Sequence, residues 1–468
     1  MLFSSLIFLY LFLPACLLLY LIPGGIRYKN AVLILFSLFF YAWGEPVYLF
    51  LMIAMALANW AFGLLIGAHR KKFFLVLAVV FDLGCLAVFK YTGFLLENVN
   101  ALLHLSIPVP EIALPIGISF YTFQALTYTI DVWRGEVPVQ KSYFRFLLYV
   151  SLFPQLIAGP IVRYADVELQ LEDRTSTPED MFCGMRRFCV GLAKKVLLAD
   201  YCGKVVGQIL DGSLSGSTTV MVWLGVLLWM FEIYFDFSGY SDMAIGLGRI
   251  FGFRYLENFD LPYCAKSVTE FWRKWHMSLS SFFRDYVYIP LGGNRKHMYL
   301  NLFIVWTLTG LWHGASWNFV LWGLYYFVLL TAEKLLNRFI EKIPGVIRHI
   351  LTLFIILIGW NIFYHTDFSR LLESFRVLFG ASGTGIWDEM TKITLTNNLP
   401  LILICAVGCT PLPRIMGTLF AACFAEKEEG KKHKIYVGCV YAFCLILLVL
   451  STISLVGSSY NAFLYFRF

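Results

Sequence analysis

A single histidine, His313, lies in an apolar, tryptophan-rich stretch of the chain that runs from residue 308 to residue 322. Gly310 and Gly314 accompany it and permit close approach by another helix or by a substrate. Because an imidazole exchanges a proton near neutral pH, this side chain can act as a general base. A titratable ring is costly in an apolar setting unless it is used or paired, which favours a functional role over a structural one in the core.

A second histidine, His276, follows a Ser-Val-Thr-Glu sequence at residues 267–270 that has the spacing of a helix-capping box. This spacing predicts a helix over residues 267–283, and Arg273, His276 and Ser280 share one face of it. The arginine can hold a phosphate or a carboxylate there, while the histidine exchanges a hydrogen bond with a substrate. The alternative is an interfacial amphipathic helix whose basic side chains reach toward water.

Two acidic residues, Glu232 and Asp236, are one helical turn apart in an aromatic stretch. They repel each other if both are ionised in an apolar setting, so each needs a cation, a proton or water. Lys194 and Lys195 are the candidate partners. We therefore predict structural ion pairing here in preference to a pair of catalytic carboxylates.

The composition places these residues in a polytopic membrane protein. Hydrophobic residues make up 59% of the 468 residues and charged residues only 14%, which leaves too little polar surface for a soluble globule. Apolar runs long enough to cross a bilayer are predicted at residues 2–22, 46–67, 73–90, 220–237, 347–364, 399–420 and 435–455. Three further runs, at 31–43, 95–105 and 112–130, are too short or too interrupted for confident spans and include candidate re-entrant segments.

No long hydrophilic stretch divides the chain, so residues 1–468 are predicted to form a single integral-membrane domain. Its least membrane-like part is 254–296, where aromatic and charged residues alternate, and this segment is predicted to be interfacial or re-entrant. Basic residues fall in short connections, which the positive-inside rule places in the cytoplasm, with Met1 outside. The first apolar run is interpreted as a membrane segment and not as a signal peptide, since no Lys or Arg precedes it.

The remaining composition excludes several classes of site. The net charge of +7 is explained by basic cytoplasmic loops and implies no nucleic-acid partner. Eleven cysteines without CxxC or CxxH spacing predict neither a zinc site nor a disulfide framework. We expect no metal and no bound cofactor.

Short motifs recur in order along essentially the whole chain. They are LFSS at 2–5, FYAW at 40–43, LPIGISFYTFQ at 114–124, FPQLIAGPI at 153–161, FDFSGYSD at 235–242, FWRKWHMSL at 271–279, YIPLGGN at 288–294, LWHG at 311–314 and YNAFLYFRF at 460–468. Together they resemble the membrane-bound O-acyltransferase family, in the bacterial branch typified by the membrane subunit of alginate O-acetylation.

The resemblance implies an all-α membrane bundle of about 11–14 transmembrane or re-entrant helices around a central channel. It implies that His313 is the catalytic residue and His276 its companion. The candidate substrate-binding residues are Arg273, Ser280, Gln155, Trp312 and Asn318, with Asn318 or a backbone N–H near Gly314 as the donor to an oxyanion.

The reaction implied by the resemblance moves an acetyl group from a thioester to an alcohol. The donor is acetyl-CoA or the thioester of an acyl carrier protein, taken up on the cytoplasmic side of a bacterial cell membrane. The acceptor is an exported polysaccharide or cell-wall polymer, and an extracytoplasmic acetyltransferase-like or esterase-like partner completes the transfer. Membrane lipids surround the protein.

Two alternative functions remain open at this point. The first is transfer of D-alanine from a carrier protein toward teichoic acid. The second is a transporter or flippase that uses buried carboxylates and histidines as a proton relay. A transporter of this kind predicts inverted repeats, and we find no convincing repeat in the sequence.

Overall fold

The computed structural model describes residues 1–69, 71–157, 159–424, 430–457 and 463–464, and the regular elements in these ranges are all helical. The α-helices are, in chain order, α1 (Leu13–Leu21), α2 (Ile26–Ala42), α3 (Tyr48–His69), α4 (Lys72–Leu103), α5 (Ile118–Arg134), α6 (Tyr143–Ser151), α7 (Phe153–Leu156), α8 (Tyr164–Glu172), α9 (Pro178–Ala193), α10 (Asp200–Leu210), α11 (Thr219–Ile250), α12 (Val268–Lys274), α13 (Met277–Phe283), α14 (Met298–His313), α15 (Trp317–Ile340), α16 (Gly345–Tyr364), α17 (Phe368–Leu378), α18 (Glu389–Gly408), α19 (Leu412–Cys423) and α20 (Lys431–Val456). Residues 460–462 and 465–468 of the C-terminal motif lie outside the described ranges.

Seven helices of the described chain are long and apolar enough to cross a membrane: α3, α4, α11, α15, α16, α18 and residues 432–456 of α20. The predicted all-α, multi-pass membrane protein is therefore confirmed. The runs predicted at 46–67, 73–90, 220–237, 347–364 and 435–455 correspond to five of these helices. The run predicted at 2–22 contains only a shorter apolar helix, residues 8–21.

The run predicted at 399–420 is wrong as a single span. α18 ends at Gly408 and α19 begins at Leu412, with Pro411 between them. Proline lacks the N–H that continues a helix and disfavours helical geometry in the residue before it. The sequence interpretation also missed α15 as a span, because Glu333 and Lys334 interrupt its apolar pattern near the C-terminal end.

The interruption predicted at Pro115 and Gly117 marks the start of a helix. Gly117 has a φ of 78°, and a Cβ atom there would lie 2.6 Å from the carbonyl oxygen of Leu156. Only glycine accepts both the left-handed backbone and this close approach. α5 begins at the next residue and packs against α3 and α4. The run at 95–105 is part of α4, which continues unbroken from the predicted span at 73–90 as far as Leu103.

The described residues divide into two compact units. The first unit contains residues 1–188 and 240–257, and the second contains residues 189–239 and 258–464 within the described ranges. α3, α4 and α5 pack together in the first unit, and α14, α15 and α16 pack together in the second. The core of the second unit is strongly aromatic, with Trp229, Trp322 and Trp360 fully buried.

α14 and α15 cross so closely that glycine is required on both helices. A Cβ atom at Gly310 would overlap the carbonyl oxygen of Phe319, and one at Gly323 would overlap that of Trp306. Of the two predicted uses of Gly310, close approach by another helix is therefore confirmed. His313 is the last residue of α14 and lies 15 residues beyond its first residue, Met298. This places the imidazole about 22 Å further along the helix axis.

A buried ion cluster in the second unit contacts α11. Lys195 Nζ lies 2.7 Å from Asp236 Oδ1 and 2.5 Å from Asp200 Oδ1. The second carboxylate oxygen of Asp236 accepts a hydrogen bond of 3.0 Å from the backbone N–H of Leu464. The predicted pairing of Asp236 with Lys195 is confirmed, and Asp200 is a further partner that the sequence did not suggest.

Candidate active site

A cavity of about 290 Å³ in the second unit brings His276 and His313 to one space. α12, α13, α14 and α15 supply most of its wall. The polar side chains that line it include Arg273, His276, Ser280, Arg284, His313 and Lys334. Both imidazoles and a group of cations therefore border the same space.

His276 lies at a break between two short helices. The N-cap predicted for the first of them is confirmed, since Ser267 Oγ accepts a hydrogen bond of 3.0 Å from the backbone N–H of Glu270. α12 nevertheless ends two residues before His276, whose φ of 44° is left-handed, and α13 begins directly after it. The prediction of one continuous helix over residues 267–283 is therefore wrong.

Asn258 holds His276 in this unusual conformation. Asn258 Oδ1 lies 3.2 Å from His276 Nδ1 and accepts a hydrogen bond of 2.9 Å from Ser278 Oγ. The backbone oxygen of Asn258 accepts a hydrogen bond of 3.0 Å from the N–H of Met277. These bonds at the break and directly after it compensate for the cost of the left-handed backbone.

The same contacts define the protonation of the ring. An amide oxygen only accepts hydrogen bonds, so His276 Nδ1 carries the proton and Nε2 of the neutral ring has a free lone pair. His276 Nε2 is buried and has no hydrogen-bond partner among the described residues. The residue lies outside the seven spanning helices, and burial lowers its pKa to about 3. His276 therefore presents a hydrogen-bond acceptor that stays neutral at physiological pH.

We expect substitution of Asn258 to act through His276. Asn258→Ala removes the acceptor of Nδ1–H and releases the ring, which should lower kcat by about 10²-fold. Asn258→Asp keeps an acceptor but adds a negative charge that stabilises the imidazolium and raises the pKa of His276. As the pH falls, kcat of this variant should therefore begin to decrease at a higher pH than kcat of the wild type does, because the His276 ring is protonated earlier. A kcat profile against pH for the three proteins measures both effects, and superimposable wild-type and Asn258→Asp profiles would contradict them.

His313 is half-buried and enclosed by aromatic rings. The ring centroids of Trp312, Trp322 and Phe363 lie 5.0, 5.1 and 5.2 Å from that of His313. Packed rings on several sides restrict the rotation of the imidazole, while the residue also lines the cavity. A restricted ring is the arrangement that a general base requires, because reactivity depends on orientation.

Two cations of the cavity wall have no carboxylate partner among the described residues. Neither Arg273 nor Lys334 forms an ion pair with a carboxylate in the described parts of the chain, and their positive charges interact unfavourably with each other. Arg284 differs, since its Nε lies 2.6 Å from Asp285 Oδ1. Lys334 Nζ lies 3.5 Å from the sulfur of Met298, at the end of α14 opposite His313. An anionic group bound by Arg273 and Lys334 would relieve their repulsion.

Comparison with known proteins identifies the family of the chain. The model of the family described as MBOAT, membrane-bound O-acyltransferase family, matches residues 112–367, which is more than half of the chain. The chain belongs to the membrane-bound O-acyltransferase family. The predicted family and the predicted acyltransferase class are thus confirmed, and the family's chemistry requires an acyl donor as substrate.

Relatives of this acyltransferase carry several names. The probable alginate O-acetylase of Pseudomonas aeruginosa is 40% identical over 85% of this chain and 78% of its own length. The peptidoglycan O-acetyltransferase of Helicobacter pylori is 30% identical over 100% of this chain and 98% of its own length. The teichoic acid D-alanyltransferase of Bacillus subtilis is 29% identical over 48% of this chain and 60% of its own length. The O-acetyl-transferring relatives thus match far more of the acyltransferase than the D-alanyl-transferring one does.

Two further sequence-predicted residues of the acyltransferase lie at or beside the cavity. Ser280 lines it, and its hydroxyl donates a hydrogen bond of 3.3 Å to the carbonyl of Trp272. Trp312 is buried, and its ring centroid lies 5.8 Å from that of His276 and 5.0 Å from that of His313. Its indole therefore contacts both histidines.

Neither Asn318 nor Gln155 belongs to the wall of this cavity. Asn318 Nδ2 donates a hydrogen bond of 3.1 Å to the carbonyl of Phe363, and the residue is not part of the cavity wall. This contact favours a structural role for Asn318 between α15 and the end of α16. Gln155 belongs to the first unit, where its Nε2 donates a hydrogen bond of 2.5 Å to the carbonyl of Tyr149.

Sequence reasoning missed Asn258 and Lys334 as residues of the candidate site. Asn258 lies in an irregular stretch with no helical periodicity, so nothing in its neighbourhood indicated a contact with His276. Lys334 belongs to a basic stretch that orients the chain, and its distance in sequence from Arg273 concealed their shared cavity.

Proposed function

We propose that this protein is an O-acetyltransferase that takes an acetyl group from a cytoplasmic thioester for O-acetylation of an exported polysaccharide or cell-wall polymer. One observation carries the proposal: two histidines from separate segments line a single cavity, and its wall also holds two cations that pair with no carboxylate in the described part of the chain. The printed names of the relatives with the longest matches support acetyl as the acyl group and a polymer as the acceptor.

The proposed chemistry assigns His313 as the general base. Its imidazole removes the proton of the acceptor hydroxyl as that oxygen attacks the thioester carbonyl, a contribution of about 10²–10⁴-fold. The tetrahedral oxyanion then expels the thiolate, and the imidazolium returns the proton to that sulfur. The backbone N–H groups that follow Gly314 are our candidates for stabilising the oxyanion, since Asn318 donates elsewhere.

His276 is assigned to positioning the donor. Its Nε2 is a buried acceptor held in place through Nδ1, which suits an amide N–H of a pantetheine arm. Both acetyl-CoA and the prosthetic group of an acyl carrier protein present such an arm, with a phosphate at its far end. The anionic end would lie at Arg273 and Lys334, and the thioester would reach toward His313. We propose acetyl-CoA as the donor.

Arg273→Ala should weaken donor use more than acceptor use. A charge-assisted contact to phosphate is worth about 1.5–3 kcal/mol, so the KM for the donor should rise roughly 10–100-fold. Lys274→Ala is the matched control, because Lys274 is the next residue, pairs with Glu270 at 2.8 Å and does not line the cavity. Donor and acceptor saturation curves of both variants measure the effect, and an unchanged donor KM would remove Arg273 from the site.

The proposed orientation follows from the basic residues of the second unit. Arg295 and Lys296 lie three and two residues before α14, and Lys334 lies beside the first residue of that helix. The positive-inside rule assigns this end to the cytoplasm of a bacterial cell membrane and, by the same count, Met1 to the outside. The donor then enters from the cytoplasm. The hydroxyl that accepts the acetyl group at His313 then belongs to an extracytoplasmic esterase-like partner, which completes transfer to the polymer. A channel through one integral-membrane domain, residues 1–468, connects the two faces.

D-alanyl transfer is the second candidate function, and the similarity to the teichoic acid enzyme of Bacillus subtilis favours it. The two functions differ in the ester that disappears when the protein is lost. Mass spectrometry of surface polymers from a strain with and without the gene should show loss of O-acetyl esters. Loss of D-alanyl esters in place of acetyl, or no change in either ester, would overturn the proposal.

A further inference from the structure

A second cavity, of about 170 Å³, lies between α15 and α16 in the second unit. Its wall is mainly aliphatic and is formed by side chains that include Leu329, Leu336, Leu351 and Ile355. Leu336 and Leu351 are also 49% and 48% exposed, so the cavity is a groove that reaches the apolar outer surface of two spanning helices. A hydrocarbon chain in the surrounding bilayer can enter it from the side.

Cations lie at one end of this groove. Lys266 and Arg348 both belong to its wall, and the Nζ of Lys266 lies 3.7 Å from the place that a Cβ atom of Gly345 would occupy. Gly345 is the first residue of α16, whose N-cap residue, Pro344, provides no side-chain hydrogen bond. An anion at this end of the groove would therefore be attracted by Lys266, by Arg348 and by the N-terminal N–H groups of this 20-residue helix.

Arg348 supplies an independent indication of a ligand. Its Nε is buried and has no hydrogen-bond partner among the described residues. A buried N–H without an acceptor is costly, so a phosphate oxygen that accepts its hydrogen bond would be stabilising here. The nearest carboxylate of the groove does not meet this need, since Glu333 Oε2 accepts hydrogen bonds of 2.8 and 2.7 Å from the backbone N–H and hydroxyl of Thr269.

We infer that this groove binds an anionic phospholipid, with its phosphate at Lys266, Arg348 and the first turn of α16 and one acyl chain between α15 and α16. A soluble phosphate would use the cations but leave the aliphatic wall exposed, whereas a phospholipid satisfies both parts. Basic pockets between transmembrane helices recognise such headgroups. The inference does not depend on the proposed acetyl transfer.

Titration of dioleoyl phosphatidylglycerol into the full-length protein in detergent, read by native mass spectrometry, tests the inference. The protein should bind this lipid more tightly than dioleoyl phosphatidylcholine. Arg348→Gln should weaken the binding of phosphatidylglycerol about fivefold, and combination with Lys266→Gln should weaken it by a similar factor again. Millimolar inorganic phosphate should not displace the lipid.

Two further variants distinguish lipid binding in this groove from general attraction of an anionic lipid to a basic protein surface. Arg338→Gln removes the same charge from an exposed position of α15 outside the groove and should leave binding unchanged. Ala332→Phe keeps every charge but fills the groove, so it should weaken binding and preserves the test if Arg348→Gln does not fold. The inference would be overturned if the protein bound the two lipids with equal affinity, or if Arg338→Gln and Arg348→Gln weakened binding equally. Full binding by Ala332→Phe, or displacement of the lipid by inorganic phosphate, would also overturn it.

Discussion

Replacement of His313 by alanine should lower acyl transfer by about 10²–10⁴-fold, the usual contribution of a general base. His313 ends α14, lines the cavity that it shares with His276, and is held between the rings of Trp322 and Phe363. Removing the imidazole takes away the proton acceptor but leaves the cations of the cavity in place. The loss should therefore appear in kcat, with little change in the KM of the donor. Steady-state kinetics of purified variants with a labelled thioester measures this split.

Controls distinguish lost chemistry from lost structure. His313→Gln keeps more of the packing against Trp322 and should be as inactive as His313→Ala. His69→Ala removes an exposed histidine of α3 in the other unit and should retain wild-type rates. Transfer that persists in a folded His313→Ala protein would contradict the assignment of His313 as the general base and favour a structural role for this residue.

Breaking the buried ion cluster should cause the largest loss of stability. Lys195 and Asp236 have side chains that are 4% and 1% exposed, and Lys195 also pairs with Asp200. Lys195→Met leaves two carboxylates without their cation in a desolvated place. Removal of one partner of a buried pair costs about 3–5 kcal/mol, because the remaining charge is uncompensated. Unfolding of the detergent-solubilised variant by heat or denaturant should show this decrease in the free energy of unfolding.

An exposed pair provides the matched control for that measurement. Lys392 Nζ lies 2.9 Å from Glu389 Oε1, but the two side chains are 60% and 72% exposed. Lys392→Met should therefore change the free energy of unfolding by no more than about 1 kcal/mol. Comparable losses in both variants would show that the cluster at Lys195 is not buried as described.

Two features of the fold could be predicted because each depends on one or two residues. Ser267 is an N-cap by residue type, and the structure forms that cap. The carboxylate of Asp236 in an apolar helix required a cation, and Lys195 meets that requirement. The first follows from the free energy of capping a helix, and the second from the cost of burying an unpaired charge.

The break at His276 could not be predicted from the sequence, because its cause is tertiary. Phe271, Trp275, Leu279 and Phe282 repeat with helical spacing across the break, and all four are buried. The spacing therefore indicated one helix. Contacts of Asn258 with His276 and Ser278 select the left-handed conformation instead, and they join residues 18 and 20 positions apart.

The membrane spans also show that local sequence patterns predict some elements and that tertiary contacts determine others. α15 contains enough apolar residues to span a membrane. The search for apolar runs missed this span because charged residues lie near the C-terminal end of the helix. Its partner α14 explains why it forms, since Gly310 and Gly323 allow the two backbones to meet. This pairing also positions His313, so the helix that the sequence interpretation missed is one that supports the site.

The central claim is that the thioester is cleaved in the cavity shared by His276 and His313. A cryo-electron-microscopy structure of the full-length protein with a non-cleavable acetyl-CoA analogue, in which a methylene group replaces the sulfur, tests it most directly. The analogue's carbonyl carbon should lie beside His313, its pantetheine amide near Nε2 of His276, and its phosphates at Arg273 and Lys334. Density for the analogue at another surface, with this cavity empty, would contradict the claim.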